Sequence, residues 1–269
     1  MKITFYNYTY LNAISPSADD KIIFGEGDFL LGVVSGIALP NIDTQSQTAP
    51  YQDGSTYLDT KIQSRTISLK TTLLTGQGEV YTDRAKIYRA LNPKLGKGTL
   101  VYENGTFTKS IDCVVSAITE DENNNSDTQR FMIEFFCDVP FWRDNTITEV
   151  IFDDSTIVNN SGNVETPVII TLSNGITNPI IQNITTGQLM QLTYVIANGE
   201  RVEINTEFGN KSITHYDSGD NPTNILAYLS NLSIFIDLQA GNNEIGYTGT
   251  SVDGTFEAKV SFYNRYLGV

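Results

Sequence analysis

The chain has few of the residues that most enzyme and metal sites need. Its 269 residues include one histidine, two cysteines and one tryptophan. A nucleophilic hydrolase requires a base beside its nucleophile, and His215 is the single histidine available. The sequence also has no Gly-x-Ser-x-Gly elbow. We therefore expect no catalytic residues and no enzymatic activity, and we expect His215 to be a surface or turn residue.

The sequence also lacks the residues that usually bind metal ions and cofactors. One histidine and two distant cysteines cannot complete a tetrahedral zinc site. Four residues alternate like the start of an EF-hand calcium loop: Asp121, Asn123, Asn125 and Asp127. Ser126 and Met132, however, stand where that loop needs its glycine and its bidentate glutamate. We interpret this stretch as a solvated hairpin tip and expect no metal and no cofactor.

Basic residues are scarce as well. The chain has 17 Lys and Arg against 31 Asp and Glu, a net charge of −14. Since affinity for phosphate comes chiefly from clustered cations, stable binding to DNA or RNA is not expected. No apolar run approaches the roughly 18 residues of a membrane span, and the first residues lack a signal-peptide core. We expect a soluble protein without an export signal or membrane contact.

The two cysteines, Cys113 and Cys137, lie in strand-like stretches of the same half and could face each other. Two cysteines in a chain of this size do not make a disulfide framework. We interpret both as buried thiols, with a bridge between them as the alternative.

The chain is rich in residues that favour β-strands and turns. Asn, Thr, Gly and Tyr are abundant, and these residues favour strands and turns over helices. A single hydrophobic core stops growing at roughly 250–300 residues, so a chain of this length favours two domains. The expected class is mainly β.

The stretch 130–144 marks the expected division. Its first half alternates apolar and mixed positions with a period of two, which predicts a strand with one apolar face. Pro140 then ends the strand because it lacks a backbone donor. We interpret Pro140, Phe141 and Trp142 as a packed interdomain elbow between domains 1–144 and 145–269. An exposed aromatic ligand site is the alternative.

The first half contains one helical pattern, over 79–92. Thr82 is the expected N-cap, and Asn92-Pro93 ends the helix. Four residues form the expected buried stripe: Tyr81, Ala85, Tyr88 and Leu91.

Three further segments of the first half have clear patterns. Residues 64–74 alternate as a strand, with Arg65 in the same row as the apolar residues. Residues 98–117 form a hairpin around Asn104-Gly105, because Asn-Gly supplies the positive φ angles of its turn. The polar stretch 41–55 is expected to be a long loop.

Past Trp142 the pattern is uniformly β. Short strands are spaced by turn dipeptides such as Asn174-Gly175 and Asn198-Gly199, which favours a sandwich. Asp220-Asn221-Pro222 is expected to cap a short turn of helix through Leu229.

Short motifs in a fixed order carry a family resemblance. In the first half they are Asp53-Gly54-Ser55, Arg65-Thr66-Ile67-Ser68-Leu69, Arg89-Ala90-Leu91-Asn92-Pro93, Gly98-Thr99-Leu100, Tyr102-Glu103-Asn104-Gly105 and Phe136-Cys137-Asp138-Val139-Pro140-Phe141-Trp142. In the second half they are Pro167 to Leu172, Asn183-Ile184-Thr185-Thr186-Gly187 and Gly241-Asn242-Asn243. Together these segments resemble the distal tail protein (Dit) family of long-tailed siphophages.

The resemblance implies a mainly β fold with a split-barrel-like N-terminal domain that carries the helix. A galectin-like β-sandwich follows at the C-terminus. It implies a structural virion protein at the tail tip, assembled in the host cytoplasm. In the family the N-terminal domains close into a hexameric ring that joins the tail tube to the baseplate.

The implied partners are further copies of the chain, the tail tube protein, a tail-lysin hub protein and receptor-binding proteins on the outer domains. DNA passes through the channel without specific binding, and an acidic lumen would keep phosphates from sticking. The alternative function is a carbohydrate-binding adhesion module that contacts the host cell wall. Its aromatic platform would come from the sandwich: Tyr194, Tyr216, Tyr228 and Tyr247.

Overall fold

The computed structural model describes residues 1–7, 11, 20–74, 80–121, 128–251 and 256–269. The chain forms two compact units. The first consists of Met1–Asn145 together with Leu267–Val269, and the second of Thr146–Tyr266. Strands dominate both units, so the mainly β prediction is confirmed. The return of residues 267–269 to the first unit is a feature that the sequence pattern does not indicate.

The first unit is an antiparallel sheet with a helix. Its strands are β1 (Lys2–Tyr6), β2 (Lys21–Phe24), β3 (Phe29–Ser35), β4 (Ile42–Gln47), β5 (Thr56–Ile62), β6 (Arg65–Leu74), β7 (Gly98–Glu103), β8 (Thr108–Glu120), β9 (Thr128–Cys137) and β10 (Trp142–Asp144). Helix α1 spans Val80–Ala90, and a 3-10 helix spans Pro93–Leu95. The sheet runs in the order β2-β1-β7-β8-β9-β6-β3, with β10 paired to β8.

Strands β6 and β9 form the middle of the core, and their predicted alternation is confirmed. The inward row of side chains is at most 2% exposed: Ile67, Leu69, Leu73, Phe131, Ile133 and Phe135. Met132 and Phe136, on the opposite face of β9, are 37% and 39% exposed. The Asn-Gly hairpin between β7 and β8 is also confirmed, with Gly105 at φ +87°.

The predicted helix exists, but its predicted N-cap is wrong and its predicted buried stripe is only partly right: Leu91 is buried, Ala85 and Tyr88 are not, and the side chain of Tyr81 lies outside the described residues. Val80 is already helical, so Thr82 lies inside the helix. The buried positions are Asp83, Ile87, Ala90 and Leu91. Ala85 is exposed, and Tyr88 is 42% exposed with the Arg84 guanidinium 5.6 Å from its ring. Tyrosine can keep its ring at the surface, so the aliphatic Ile87 and Leu91 set the face that turns inward.

The second unit is a sandwich, as predicted. Its strands are β11 (Thr148–Phe152), β12 (Ser155–Asn160), β13 (Thr166–Pro167), β14 (Ile169–Ser173), β15 (Ile176–Asn183), β16 (Gln188–Gln191), β17 (Val195–Ile196), β18 (Arg201–Asn205), β19 (Ser212–Tyr216), β20 (Pro222–Asn224), β21 (Asp237–Leu238), β22 (Gly241–Ser251), β23 (Glu257–Phe262) and β24 (Arg265–Tyr266). One sheet runs β11-β23-β14-β18-β19-β20, and the other runs β12-β22-β15-β16 with β17 beside β15. Residues from both sheets share one hydrophobic core.

For the second unit, the prediction for His215 is wrong, and the prediction of a short turn of helix through Leu229 is right for its end but not for its start. His215 lies on β19 and is 8% exposed, because its Nε2 is 3.0 Å from a carboxylate oxygen of Glu200 that satisfies the buried ring. The stretch at Asp220-Asn221-Pro222 leads into strand β20 rather than a helix, since Pro222–Asn224 pairs with β19. A 3-10 helix follows at Leu226–Tyr228.

Two buried asparagine side chains form hydrogen bonds inside the sandwich. Asn183 and Asn243 are fully buried, and the Asn183 Nδ2 donates to the Asn243 Oδ1 at 3.1 Å. The Asn243 Nδ2 donates to the carbonyls of Gln239 and Gly241, while its Oδ1 also accepts from the Gln239 N–H. One side chain therefore satisfies the turn that leads into β22.

Replacement of Asn243 by alanine should lower the free energy of unfolding by about 2–4 kcal/mol, because it leaves buried backbone groups without partners. Chemical denaturation followed by fluorescence would measure the loss. Asn159→Ala is the matched control, since Asn159 is exposed and its side chain hydrogen-bonds at the surface to Asn242 and Ser161. An equal effect of both substitutions would contradict the role given to Asn243.

Candidate assembly arm and its anchor

A hairpin that stands outside the core is the most conspicuous surface feature of the first unit. Strands β4 and β5 pair with each other from Ile42↔Ile62 to Gln47↔Thr56, so the predicted loop over 41–55 is wrong. No residue of either strand is buried. We call residues 41–63 the arm. A ribbon whose strands bury neither face carries no apolar alternation, and the sequence pattern therefore misses it.

The arm exposes large apolar side chains although it is otherwise polar. They are Ile42, Tyr51, Tyr57, Leu58 and Ile62, with exposures from 37% for Ile62 to 62% for Tyr57 and full exposure for Tyr51 at the tip. An isolated two-stranded hairpin is marginally stable in water. Exposed apolar side chains gathered on one such element mark an interaction surface.

A buried arginine holds the base of the arm. Arg65, the first residue of β6, is 4% exposed because the alternation of the strand turns it toward the core. Its Nη1 donates to the carbonyls of Gly36, Ile37 and Ala38 at 3.2, 3.3 and 2.9 Å. Its Nη2 donates to the carbonyl of Leu267. Burial lowers the pKa of the Arg65 guanidinium, and among the described residues no carboxylate forms an ion pair with it.

Trp142 completes this cluster. It is fully buried, its Nε1 donates to the Ile37 carbonyl at 3.2 Å, and its ring meets Tyr102 edge to face at 6.1 Å. The backbone N–H of Val269 donates to the same carbonyl at 3.2 Å. We call Gly36–Ala38, Arg65, Trp142 and Leu267–Val269 the anchor.

Two glycines permit the close approach of the anchor segments. Gly36 has a φ of +80°, and a Cβ there would lie 2.1 Å from the carbonyl oxygen of Thr66. A Cβ at Gly268 would lie 3.0–3.2 Å from the backbone of Ala38. Any larger residue at Gly36 would therefore displace the chain just before the arm.

The sequence-predicted site residues have these positions. Pro140 is buried, Phe141 is half-buried and Trp142 is fully buried. The alternative of an exposed aromatic ligand site is wrong for Trp142. The role of the three residues as an interdomain elbow stays a prediction. Sequence reasoning missed Arg65 and the arm as functional elements, because the partners of Arg65 lie up to 202 positions away along the chain.

The cysteines, the calcium-like stretch and possible membrane-spanning segments were the other features considered in the sequence. Cys113 and Cys137 are both buried free thiols, as predicted. Residues 122–127 of the calcium-like stretch lie outside the described residues. Within the described ranges, no group of three or more His, Cys, Asp or Glu side chains could hold a metal ion. Across the same ranges, no helix combines the length and hydrophobicity required to cross a bilayer.

Two family models match the chain in tandem. The model described as phage tail protein RIFT-related domain matches residues 26–137, which include the arm and strands β6 to β9. The model described as siphovirus-type tail component, C-terminal domain, matches residues 161–266. The chain belongs to the siphophage distal tail protein (Dit) family. Members of this family are structural components of the phage tail, and the protein is accordingly a tail component of the virion.

Solved structures share its fold. The chain is similar to SPP1 Dit (gp 19.1), a protein described as a paradigm of the hub adsorption apparatus in phages that infect Gram-positive bacteria. The sequence identity is 16% and the TM-score 0.73, with 98% of each chain covered. A chain of the phage P2 baseplate, in the activated conformation with Ca, is similar over 97% of this chain and 98% of its own, at 10% identity and a TM-score of 0.54. Among curated protein sequences, no relative was found.

Replacement of Trp142 by alanine should reduce the free energy of unfolding by about 3–5 kcal/mol, because it empties a fully buried site and removes a donor to Ile37. Thermal and chemical unfolding of the purified chain would measure the loss. Trp142→Phe keeps an aromatic ring and removes the donor, so we expect a smaller loss of about 1–2 kcal/mol. Unchanged melting of Trp142→Ala would overturn the structural role.

Proposed function

We propose that the protein is the hub of a siphophage tail tip and that its first unit closes into a hexameric ring between the tail tube and the baseplate. The observation that carries this proposal is the arm, because its apolar side chains stay exposed in the single chain and need a partner to cover them. A second copy of the same chain is the occupant that a homo-oligomeric tail ring provides.

The arm suits a cyclic assembly. In a closed ring each copy contacts the next through two different surfaces, so one projecting element can meet a fixed surface of its neighbour. The outer strand β3 offers such a surface, since it lies at the end of the sheet order and exposes Leu30 and Val33 at 47% and 61%. The unpaired backbone of an edge strand is also a site for further pairing. We infer that the arm of one copy covers the β3 edge of the next.

The remaining assignments follow from this role. The partners are the tail tube protein, a tail-lysin hub protein and receptor-binding proteins held by the second unit. DNA passes through the ring without specific binding, which the net charge of −14 supports. The proposal includes no enzymatic activity. It keeps the division of the chain after residue 144, with Pro140, Phe141 and Trp142 as the joint, and returns residues 267–269 to the first domain.

The double substitution Tyr57→Ser with Leu58→Ser should disrupt the ring while the fold stays intact. Burial of two such side chains stabilises an interface by about 3–6 kcal/mol, so the subunit dissociation constant should rise more than 100-fold. Light scattering after size exclusion, over a concentration series, would measure the shift, and negative-stain images would show the loss of rings. Melting should be unchanged because the arm lies outside the core.

Phe208→Ser with Leu232→Ser is the matched control, since both residues are apolar, lie in the second unit and are 93% and 86% exposed. If purified wild-type protein is monomeric, incorporation of the variants into complemented phage particles gives the same comparison. Rings or virions that form normally with the arm variant would refute the assigned role of the arm.

A second candidate function is carbohydrate binding by the second unit. Tyr228 is 50% exposed and meets Tyr194 edge to face at 5.0 Å, and Tyr194 in turn lies 5.3 Å from the His215 ring. Burial raises the pKa of Tyr194, helped by the nearby Glu200 carboxylate. An aromatic ring with polar groups beside it is the usual composition of a sugar site. Tyr247 is excluded from this platform because it is 1% exposed.

Titration of the full chain with bacterial cell-wall polysaccharides by calorimetry would test this candidate. If it is right, binding is saturable and Tyr228→Ala weakens it at least 10-fold, while Leu226→Ala, a neighbouring exposed side chain, leaves it unchanged. Absence of saturable binding, or equal binding by both variants, would exclude this platform.

A further inference from the structure

The two cysteines face each other across the middle of the first sheet. Strands β8 and β9 are antiparallel and pair Val114 with Phe136, so the next position along the ladder brings Cys113 opposite Cys137. Both side chains are fully buried, and the Cys137 thiol donates to the carbonyl of Phe135, two positions earlier on its own strand, at 4.0 Å. Directly opposed residues of antiparallel strands have Cβ atoms about 4.5–5.5 Å apart, close to the separation that a disulfide requires.

The surroundings of the pair contain a buried cation. Arg65 is the cross-strand partner of Cys137 on the other side of β9. Burial raises the pKa of the Cys113 thiol well above its usual range, with contributions from Cys137 and from the Asp112 carboxylate. Cys113 therefore remains protonated at neutral pH. These are the two cysteines of the chain, so no other thiol of the same chain competes for either of them.

We propose that Cys113 and Cys137 are an oxidation site that closes into an intrachain, cross-strand disulfide after the protein leaves a reducing environment. This inference rests on the geometry of the pair and on the tail location of the family, not on the ring. A tail component assembles in a reducing cytoplasm and acts outside the cell, where thiols are no longer kept reduced.

Hydrogen peroxide can act as the oxidant that forms this disulfide. Because Cys113 stays protonated, the sulfur of Cys137 attacks hydrogen peroxide while its thiol proton passes to the departing oxygen, which forms a sulfenic acid and releases one water. The second thiol then attacks the sulfenic sulfur, forming the S–S bond and releasing a second water. In total, two thiols lose two electrons and two protons while one peroxide becomes two waters.

The disulfide would join β8 to β9 next to the anchor. It closes the chain between positions 113 and 137 into a loop, and such a crosslink reduces the freedom of the unfolded chain. Both strands lie inside the sheet order rather than at an edge, so the oxidant must reach a covered site. We therefore expect slow oxidation of the folded protein and acceleration under mildly destabilising conditions.

The test is mass spectrometry of the full chain after exposure to millimolar hydrogen peroxide and quenching with catalase. We expect a loss of 2 Da, disappearance of both thiols from a titration under denaturing conditions, and a peptide that links positions 113 and 137. We also expect the melting temperature to rise by about 5–10 °C and to return after reduction. The masses are read on a denatured single chain, so failure of the ring would not alter the result.

The single variants Cys113→Ala and Cys137→Ala are matched controls that keep one thiol each. Their remaining thiol can gain oxygen atoms but cannot give an intrachain mass loss of 2 Da. Two titratable thiols in the oxidised wild-type protein would overturn the proposal. So would oxygen addition without a link, or a link between two chains instead of within one.

Discussion

A buried positive charge that has no carboxylate partner among the described residues fixes where separate segments of the first unit meet. The cost of removing a guanidinium from water is several kcal/mol, and at Arg65 neutral carbonyl oxygens must offset it. Those oxygens come from the turn at Gly36–Ala38 and from Leu267. If either segment moved away, donors of the guanidinium would be left buried and unsatisfied. The conformation of the turn before the arm and the return of residues 267–269 are therefore linked through one side chain.

The carbonyl of Ile37 shows how tight this linkage is. Donors from Arg65, Trp142 and Val269 converge on this one oxygen at 3.2–3.3 Å. The fold thus fixes the root of the arm with buried contacts, while the arm itself contributes no residue to the core. Folding and assembly consequently depend on different residues. A substitution on the arm can weaken association without affecting the core, whereas a substitution in the anchor affects the core first.

The predictability of each element follows from the range of its interactions. The alternation in β6 and β9 and the Asn-Gly hairpin are local signals, and both were predictable. The face of α1 was not, because aromatic residues at helical spacing are as compatible with a surface row as with a buried one. The arm was missed because a ribbon exposed on both faces has no apolar face to detect. Arg65 was visible in the inward row of β6, but its acceptors lie far along the chain. The burial of His215 likewise depends on Glu200, a neighbour on another segment.

The interactions of Arg65 in the anchor also determine how the anchor responds to salt and pH. The charge of Arg65 interacts with backbone dipoles inside the protein, where salt screens far less than it does between surface charges. Burial lowers the pKa of the Arg65 guanidinium in the folded protein. Loss of its proton would therefore stabilise the folded state, but only once the pH rises toward that lowered pKa. Arginine has the highest pKa of the ionisable side chains and stays protonated over the whole range near neutrality. A carboxylate partner would instead be lost as the pH falls. An arginine whose partners within the described part of the chain are carbonyls therefore keeps the base of the arm in place through changes of salt and acidity that would weaken an ion pair.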